Sequence, residues 1–514
     1  MKRHCAGPVL ALLSLALLLG GCSGSPTDAG VNGGNDSGDT GTNPGGNDTP
    51  TTMSFVVHLP ANTPAGDQIT FYHFGAALTG ETMTRLEGDS AVLVVSKSTF
   101  GGDGTLAYRY SRNGSDYIGS EYLQPDNNAY FFTELGRRAT FEGGKVQEDT
   151  VARWRWFPQG DITPPEPTID APTAFVPRVT GGPFEFGAYL QDLYEPWFDG
   201  LFQPTAQYLS TKGYGMAALA PPWHVLSTDP PSFGTDPSKP DYTDASLKAQ
   251  ISALVNAGLE VVVQPQLDAL PELSTQEPAT WWDQWFQQES AFLVHHAQIA
   301  QEAGATWFSF YPDAQHAAVP PSDLDARYRA LIAQVRSVYG GRVGIEFEEF
   351  SDASGADYLI PDTMGLSWAD AADFVVLSAA GAMVTGGTAT THQLVIGAQR
   401  LLAPVQALAE ARNIPVLIMP AYASVAQSWR GSSFYTVYQV GTAAWDGEDE
   451  WQQGMFAFSQ DDQAKVMDAW FRVAAQTAVV QSVLPFAYWN MDMPLVPDYS
   501  IRGKSAEDVV EAWR

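Results

Sequence analysis

From residue 181 to the C-terminus, short apolar segments alternate with amphipathic segments of helical periodicity. The apolar segments read FEFGAYL, MAALAPPW, LEVVVQPQLD, ATWFSFYPD, RVGIEFEEF, ADFVVLSAAG, IPVLIMPAYAS and SVLPFAYWNMD. The segments between them include DASLKAQISALVNAG and LVIGAQRLLAPVQALAEARN. Strands that alternate with helices build parallel sheets. Because no glycine-rich phosphate loop follows the first strand, the pattern predicts an α/β (β/α)8 TIM barrel over residues 181–514 rather than an open doubly wound sheet.

Residues 53–157 follow a different pattern, with short β segments and turns rich in Gly, Asn, Asp and Pro. The β segments read MSFVVHLP, QITFYHFG, AVLVVSK, TLAYRYSR and AYFFTE. Several short strands without intervening helices predict an N-terminal all-β sandwich domain. A Pro-rich connector, residues 158–180, joins it to the barrel.

The N-terminus begins with basic MKRH, continues with the apolar run PVLALLSLALLL and ends in LGGC. This pattern is typical of a signal peptide, residues 1–22. LGGC resembles the bacterial lipobox, which implies cleavage before Cys22 and lipidation of its thiol. A Gly/Asn/Asp-rich linker, residues 23–52, would then tether a secreted lipoprotein to the bacterial cell envelope, at the outer membrane, on its periplasmic or surface side.

Composition narrows the classes of function. Lys and Arg number 27 against 58 Asp and Glu, a net charge of −31, which excludes nucleic acid as a partner. The two cysteines, Cys5 and Cys22, lie in the first 22 residues, so a cleaved and lipidated chain has no free thiol. There is no HExxH pair and no G-x-S-x-G elbow. We therefore predict no metal site and no cofactor, and we expect a monomer.

Carboxyl groups at predicted strand ends remain as the candidate chemistry. Alternation with a period of two places Asp313 on one face with Ser309 and Tyr311, and Glu348 on one face with Glu346. Barrel enzymes react at the carboxyl ends of the strands, and two carboxyl groups are what glycoside hydrolysis requires. Because neighbouring strands lie roughly 5 Å apart, we predict a retaining pair, Asp313 and Glu348.

Other residues support this prediction. Glu346 would raise the pKa of an acidic neighbour by its charge, Asp268 is a further candidate carboxylate, and Glu349 is expected in a solvated loop. Aromatic residues make up 12% of the chain, including 15 Trp, which suits sugar stacking. The predicted substrate-binding residues are Trp223, His224, Gln266, Asp268, Tyr311, Glu346, Tyr422, Trp489 and Asn490.

Two resemblances to known families sharpen the prediction. The P-A-N-T-P turn, the Y-R-Y-S-R strand and the D-T-V-x-x-W ending resemble starch-binding carbohydrate-binding modules, which implies sugar contacts by Tyr117, Tyr122 and Trp156. VVVQPQLDAL, ADFVVLSAAGAM, FAYWNMDM and the terminal YSIRGKSAEDVVEAWR resemble the endo-mannanase barrels of glycoside hydrolase family 113. That resemblance implies that Trp489 forms a platform under the sugar.

The seventh strand departs from that family. Its relatives carry a nucleophilic Glu at this strand end, but here the strand ends in Met419-Pro420-Ala421-Tyr422. Two alternatives follow. Catalysis has moved to Asp313 and Glu348, as in α-amylase-type barrels, and the protein is a lipid-anchored glycoside hydrolase of polysaccharide or oligosaccharide degradation. Alternatively, the barrel is catalytically inactive and binds glycan.

Overall fold

The computed structural model describes most of two compact units, one that ends at Trp154 and one that begins at Phe184. The described residues are 50–74, 78–102, 104–113, 119–121, 137–154, 184–190, 194, 196–236, 241–268, 277–317, 319–351, 357–360, 367–431, 459–492, 494 and 498–513. Cys22, the connector and nearly all of the predicted linker lie outside them, and so do Tyr117, Tyr122 and Trp156.

The first unit contains two four-stranded sheets, with strand orders β4-β5-β1-β8 and β3-β2-β6-β7. β1 pairs antiparallel with β5 and parallel with β8. The strands are β1 (Thr52–His58), β2 (Ile69–Phe74), β3 (Leu78–Thr82), β4 (Thr84–Arg85), β5 (Ser90–Ser96), β6 (Thr105–Arg112), β7 (Arg137–Thr140) and β8 (Val146–Thr150).

One aromatic core lies between the two sheets. The ring of Phe55 on β1 lies 4.8 Å from that of Phe71 on β2 and 4.9 Å from that of Tyr108 on β6, measured between centroids. Because side chains of both sheets meet in this core, the predicted all-β sandwich is confirmed. Glucan binding by the sandwich stays a prediction.

The second unit is a closed barrel of eight parallel strands. The strand order is β15-β13-β10-β9-β20-β19-β18-β16, and pairing of β15 with β16 closes the ring. In chain order the strands are β9 (Glu185–Tyr189), β10 (Met216–Leu219), β13 (Glu260–Val263), β15 (Trp307–Phe310), β16 (Arg342–Ser351), β18 (Phe374–Ala379), β19 (Val416–Pro420) and β20 (Val480–Val483). The predicted (β/α)8 TIM barrel is confirmed.

Helices cover the outside of this ring. They are α1 (Phe202–Lys212), α2 (Asp244–Asn256), α3 (Ala279–Ala303), α4 (Leu324–Val338), α5 (Thr391–Arg412), α6 (Gln460–Gln476) and α7 (Ser505–Ala512). Sequence signals fix their ends: Thr390 and Gln393 form a capping box at the start of α5, and Gly304 ends α3 with a φ of 87°. None of the helices that the structure describes combines the length and apolar character needed to cross a bilayer.

Alternate residues of the barrel strands point into the barrel and fill its interior. Met216, Val262, Trp307 and Leu417 belong to one buried interior cluster. A Cβ at Gly344 would lie 2.5 Å from the ring of Phe374, so this position on β16 requires a residue without a side chain. The lower barrel is therefore filled, which leaves the upper part for polar side chains.

Additional strands extend the carboxyl end of the barrel. β11 (Pro222–Thr228), β12 (Pro231–Gly234) and β14 (Gln266–Asp268) form a three-stranded sheet. β16 continues beyond its parallel neighbours and pairs antiparallel with β17 (Asp357–Ile360). The long β16 carries Glu346, Glu348 and Glu349 above the filled part of the barrel.

Candidate active site

Glu348 lies on the inner face of β16, where alternation places it with Gly344 and Glu346. The phenol of Tyr311 donates a hydrogen bond to its Oε2 at 3.2 Å. Its Oε1 is buried without a hydrogen-bond partner in the described part of the chain. Burial raises the pKa of the Glu348 carboxyl to about 7, although the bond from Tyr311 lowers it. A carboxyl group with that pKa can hold a proton near neutral pH.

Glu346 lies one step deeper on the same face and is also buried. The amide nitrogen of Gln264 donates a hydrogen bond to its Oε2. Burial raises its pKa well above the ordinary value, the charges of Glu348 and Asp313 raise it further, and the bond from Gln264 opposes the shift. The charge of Glu348 thus raises the pKa of Glu346, whereas the raised pKa of Glu348 comes from burial. The role predicted for Glu346, which is to raise the pKa of an acidic neighbour, stays a prediction.

Asp313 is buried just beyond the end of β15. The strand ends at Phe310, and after Pro312 the chain enters a short 3-10 turn, Asp313–His316. The alternation that predicted an inward Asp313 therefore does not extend to it. Burial raises the pKa of this carboxyl well above its ordinary value.

The sequence analysis did not identify Glu289, a buried residue in the middle of α3. The indole of Trp285 donates a hydrogen bond to its Oε2 at 3.2 Å. Burial raises the pKa of Glu289 well above its ordinary value, and the charge of Asp313 raises it further. Asp313 therefore interacts electrostatically with Glu289 on the helical layer and with Glu346 on the barrel wall.

Glu349 was expected in a solvated loop, and this prediction is wrong. The residue is buried on β16, and its Oε2 accepts a hydrogen bond from the backbone N–H of Gly381 at 3.1 Å. A Cβ at Gly381 would lie 2.3 Å from Oε1 of Glu349, so a larger residue there would displace the Glu349 carboxyl group. Burial raises the pKa of Glu349 to about 8, and the charge of Arg400 opposes the shift.

Gln266 of β14 donates a hydrogen bond from Nε2 to the phenol oxygen of Tyr189, on β9, at 3.0 Å. The ring of Tyr189 stacks on that of Phe486, with centroids 5.0 Å apart. Asp268 ends β14, where its backbone is level with His224 of β11. The side chain of Asp268 lies outside the described part of the chain, and its predicted role stays a prediction.

The side chains of Trp223 and His224 each contact other residues of the protein. The ring of Trp223 lies 5.4 Å from that of Phe292 and 5.1 Å from that of His295, both on α3. Nε2 of His224 lies 2.9 Å from each carboxylate oxygen of Asp241. Trp223 thus packs on the helical layer, and His224 forms a pair with Asp241.

Tyr422, Trp489 and Asn490 follow the last two barrel strands. The phenol of Tyr422 is buried and donates to the carbonyl of Gly381 at 2.8 Å. The indole of Trp489 is 3% exposed and donates from Nε1 to Oδ2 of Asp498 at 2.5 Å. Both amide atoms of Asn490 are buried without a hydrogen-bond partner among the described residues. Tyr422 and Trp489 are therefore held by hydrogen bonds within the protein, and the platform role of Trp489 stays a prediction.

The C-terminal segment holds Trp489 in place. Lys504 forms a buried ion pair with Asp498 at 2.5 Å and donates to Oγ of Ser424 at 3.0 Å. Arg502 pairs with Asp492 at 2.9 Å and donates to the backbone carbonyl of Trp489 at 3.1 Å. The S-x-R-G-K pattern was visible in the sequence, but the contacts that Arg502 and Lys504 make were not.

On β19 the inward positions are apolar, as the sequence predicted. Backbone pairing places Glu348 level with Ser378 of β18, and Ser378 level with Met419 of β19. Met419 and Ala421 belong to the interior cluster. In the described part of the chain, the carboxyl groups inside the barrel are thus concentrated near β15 and β16. Among the described residues, no group of three or more His, Cys, Asp or Glu side chains is arranged to hold a metal ion.

Comparisons with known proteins bear on this barrel. Residues 235–463 match the model of Glycoside Hydrolase Family 113, a range that includes Asp313 and Glu348. No curated protein sequence matches the chain.

Solved structures with a similar fold include the GH113 β-mannanase AaManA from Alicyclobacillus acidocaldarius, at 17% identity and a TM-score of 0.47, covering 64% of this chain and 97% of that one. A GH113 β-1,4-mannanase aligns at 18% identity and a TM-score of 0.46, covering 65% and 99%. A family 1 β-glucosidase from Thermotoga maritima aligns at 10% and 0.36, covering 66% and 98%. The resemblance to family 113 is confirmed by the family match, which supports a glycoside hydrolase acting on polysaccharide.

Proposed function

We propose that the protein is an exported, lipid-anchored glycoside hydrolase in which Asp313 and Glu348 form the catalytic pair. The observation that carries the proposal is the group of buried carboxyl groups where β15 and β16 end, inside the region that matches family 113. Two carboxyl groups, one protonated and one ionised, are sufficient for hydrolysis of a glycosidic bond.

Glu348 is the general acid in this proposal. A general acid is most effective when its pKa lies near the working pH, and burial gives this carboxyl a pKa of about 7. Its Oε1 has no partner in the described part of the chain and is free to protonate the leaving oxygen. Tyr311 holds the other oxygen and thereby fixes the orientation of the group.

Asp313 is the nucleophile, which must be ionised in order to react. The charge of Asp313 raises the pKa of Glu289, as expected for two carboxyl groups that share one proton. Burial also raises the pKa of Asp313, so the nucleophile is ionised only when Glu289 holds the proton that the two carboxyl groups share.

The register of the strands supports a retaining mechanism. Phe310, where β15 ends, lies level with Ile345 of β16. Asp313 lies three residues after Phe310, in the turn beyond the strand, and Glu348 lies three residues after Ile345 on β16. Adjacent strands lie roughly 5 Å apart, close to the carboxyl separation of about 5–5.5 Å in retaining glycosidases.

A panel of mannans, β-glucans and α-glucans tests this proposal. We expect reducing ends from at least one glycan, and loss of that activity in Asp313→Asn and in Glu348→Gln. Both substitutions keep the side-chain shape, so binding of the glycan in a polysaccharide gel should survive. Full activity in both variants would contradict the assignment and direct attention to Asp268.

A second candidate function is glycan binding without catalysis. The observation that favours it is the apolar inner face of β19, where Met419 and Ala421 stand at the strand end that bears the nucleophile in the family resembled. In that case the protein is retarded in a polysaccharide gel yet releases no reducing ends.

Export and anchoring rest on the N-terminal LGGC pattern. We expect Cys22→Ala to move the protein from the membrane fraction to the soluble fraction, and size-exclusion chromatography of the soluble variant to show a monomer. A variant that still sediments with membranes would contradict lipidation at Cys22.

A further inference from the structure

The carboxyl groups of the candidate site are buried without a cation. Asp313, Glu346 and Glu348 form no ion pair in the described part of the chain, and their hydrogen bonds come from the neutral donors Tyr311 and Gln264. Burial of charge without a partner is costly, and proteins normally avoid it.

Elsewhere the same chain supplies a cation to several of its buried acids. Asp498 pairs with Lys504 at 2.5 Å, and Asp468 with Arg472 at 2.6 Å. Further pairs follow the same rule: Asp492 with Arg502, Glu121 with Arg137, and Asp149 with Arg137. Asp313, Glu346 and Glu348 belong instead, with Glu289 and Glu349, to the buried acids that form no ion pair among the described residues.

Unpartnered acceptors surround the same carboxyl groups. Oε1 of Gln264, Oγ of Ser309 and Oε1 of Glu348 are buried and lack hydrogen-bond partners among the described residues. Gln264 directs its amide toward Glu346, and backbone pairing places Ser309 level with Gly344 of β16. Because the amide oxygen of Gln264 can only accept, and Oε1 of Glu348 accepts when that carboxyl is ionised, a ligand that satisfies both must bring hydrogen-bond donors.

A ligand that brings both donors and positive charge suits this site. An ammonium group has three donors and no acceptor, and beside these carboxyl groups it would favour their ionised forms. The net charge of −31 over the whole chain would also attract a positively charged polymer.

We propose that the glycan bound at this site carries free amino groups, so that an ammonium substituent of an amino sugar lies among Asp313, Glu346 and Glu348. This inference rests on the proposed function and names its substrate class. An N-acetylated sugar at the same position would bring no positive charge to the carboxyl groups, and neither would a neutral sugar.

Short oligomers that differ at one ring position test the proposal. Oligomers of glucosamine, N-acetylglucosamine and glucose with the same β-1,4 linkage carry an ammonium, an acetamide and a hydroxyl at that position. Isothermal titration calorimetry in about 0.5 M salt screens attraction to the acidic surface but leaves buried pairs largely intact. We expect the glucosamine oligomer to bind about tenfold more tightly than the other two, or better.

Matched variants distinguish binding by the carboxyl groups of the site from attraction to the acidic surface of the protein. The double variant Glu346→Gln, Glu348→Gln keeps the shape of the site and should abolish the preference. Glu185→Gln is the control, because it removes an acid at the opposite end of the barrel, where β9 begins, and should keep the preference. Thermal melting of each variant verifies folding.

Equal or absent binding of the glucosamine oligomer would overturn the proposal, as would a preference that survives the double substitution. Hydrolysis of a neutral glycan without preference for the amino series would disprove this inference and leave the hydrolase standing. Tight binding of the amino series without release of reducing ends would support it and remove the proposed catalysis.

Discussion

Two clusters of buried carboxyl groups lie in the same barrel and differ in what surrounds them. In the C-terminal cluster, Asp498 contacts Lys504 and Asp492 contacts Arg502. In the site cluster, the described residues that donate to Glu346 and Glu348 are Gln264 and Tyr311, which are both neutral. The first cluster holds Trp489 in place, whereas the second holds carboxyl groups with raised pKa values inside the barrel.

The presence or absence of a cation distinguishes carboxyl groups that stabilise the fold from carboxyl groups that serve the proposed chemistry. A buried acid with a matching cation stabilises one arrangement of the chain, and removing the cation is costly. Buried acids without cations oppose folding and persist where their altered acidity is useful. Substitutions in the two clusters should therefore have opposite effects on stability and activity.

The largest effect is expected from Glu348→Gln on turnover. Loss of one member of a catalytic pair should lower kcat by about four orders of magnitude, measured as reducing ends from the best glycan of the panel. The free energy of unfolding should stay the same or rise, because the variant removes a buried ionisable group. A variant with near-normal kcat or a marked loss of stability would place Glu348 with the structural carboxyl groups.

Lys504→Met should have the opposite effect to Glu348→Gln, because it should lower stability. It leaves Asp498 buried without its cation, which should lower the free energy of unfolding by about 3–5 kcal/mol in urea titrations. Lys212→Met is the matched control, since Lys212 pairs with Glu511 at a partly exposed position and its loss should cost less than about 1 kcal/mol. Equal losses in the two variants would contradict the special role of the buried pair.

The pH dependence of stability separates the clusters further. The folded pKa of Glu348 is about 7, above the ordinary value of 4.5. The folded state therefore binds this proton more tightly, and the stability it contributes is full below pH 4.5 and lost as the pH rises through 7. We expect roughly 3 kcal/mol less stability at pH 7.5 than at pH 4.5 from this group. Glu348→Gln should remove that slope, and an unchanged slope would contradict the raised pKa.

The sequence predicted the fold well because the spacing of apolar residues shows which face of each strand or helix is buried. The eight barrel segments and four of the five sandwich segments lie where the structure has strands, and the fifth, AYFFTE, lies outside the described residues. The end of β15 was also marked by Pro312, which interrupts strand pairing, although the alternation argument was carried past it to Asp313.

The site was less predictable because its properties come from contacts between distant residues. Glu289 is one of many polar residues on a helix, and only packing against β15 buries it beside Asp313. The sequence predicted that Glu349 is solvated, but in the folded chain the loop after β18 places Gly381 against it. The ion pair of Asp498 and Lys504 likewise depends on the path of a loop that no periodicity encodes.

The smallest effect we predict comes from Tyr311→Phe. The phenol of Tyr311 is the described donor to Glu348, and its bond lowers the pKa of that carboxyl by stabilising the ionised form. Without the bond the acid keeps its proton to higher pH, so the basic limb of the kcat/KM profile should move upward. The control is Tyr339→Phe, since that buried phenol donates instead to the carbonyl of Ala305 and should leave the limb in place. If the limb does not move in Tyr311→Phe, Glu348 does not set it, and the general acid must be sought among Asp313 and Glu289.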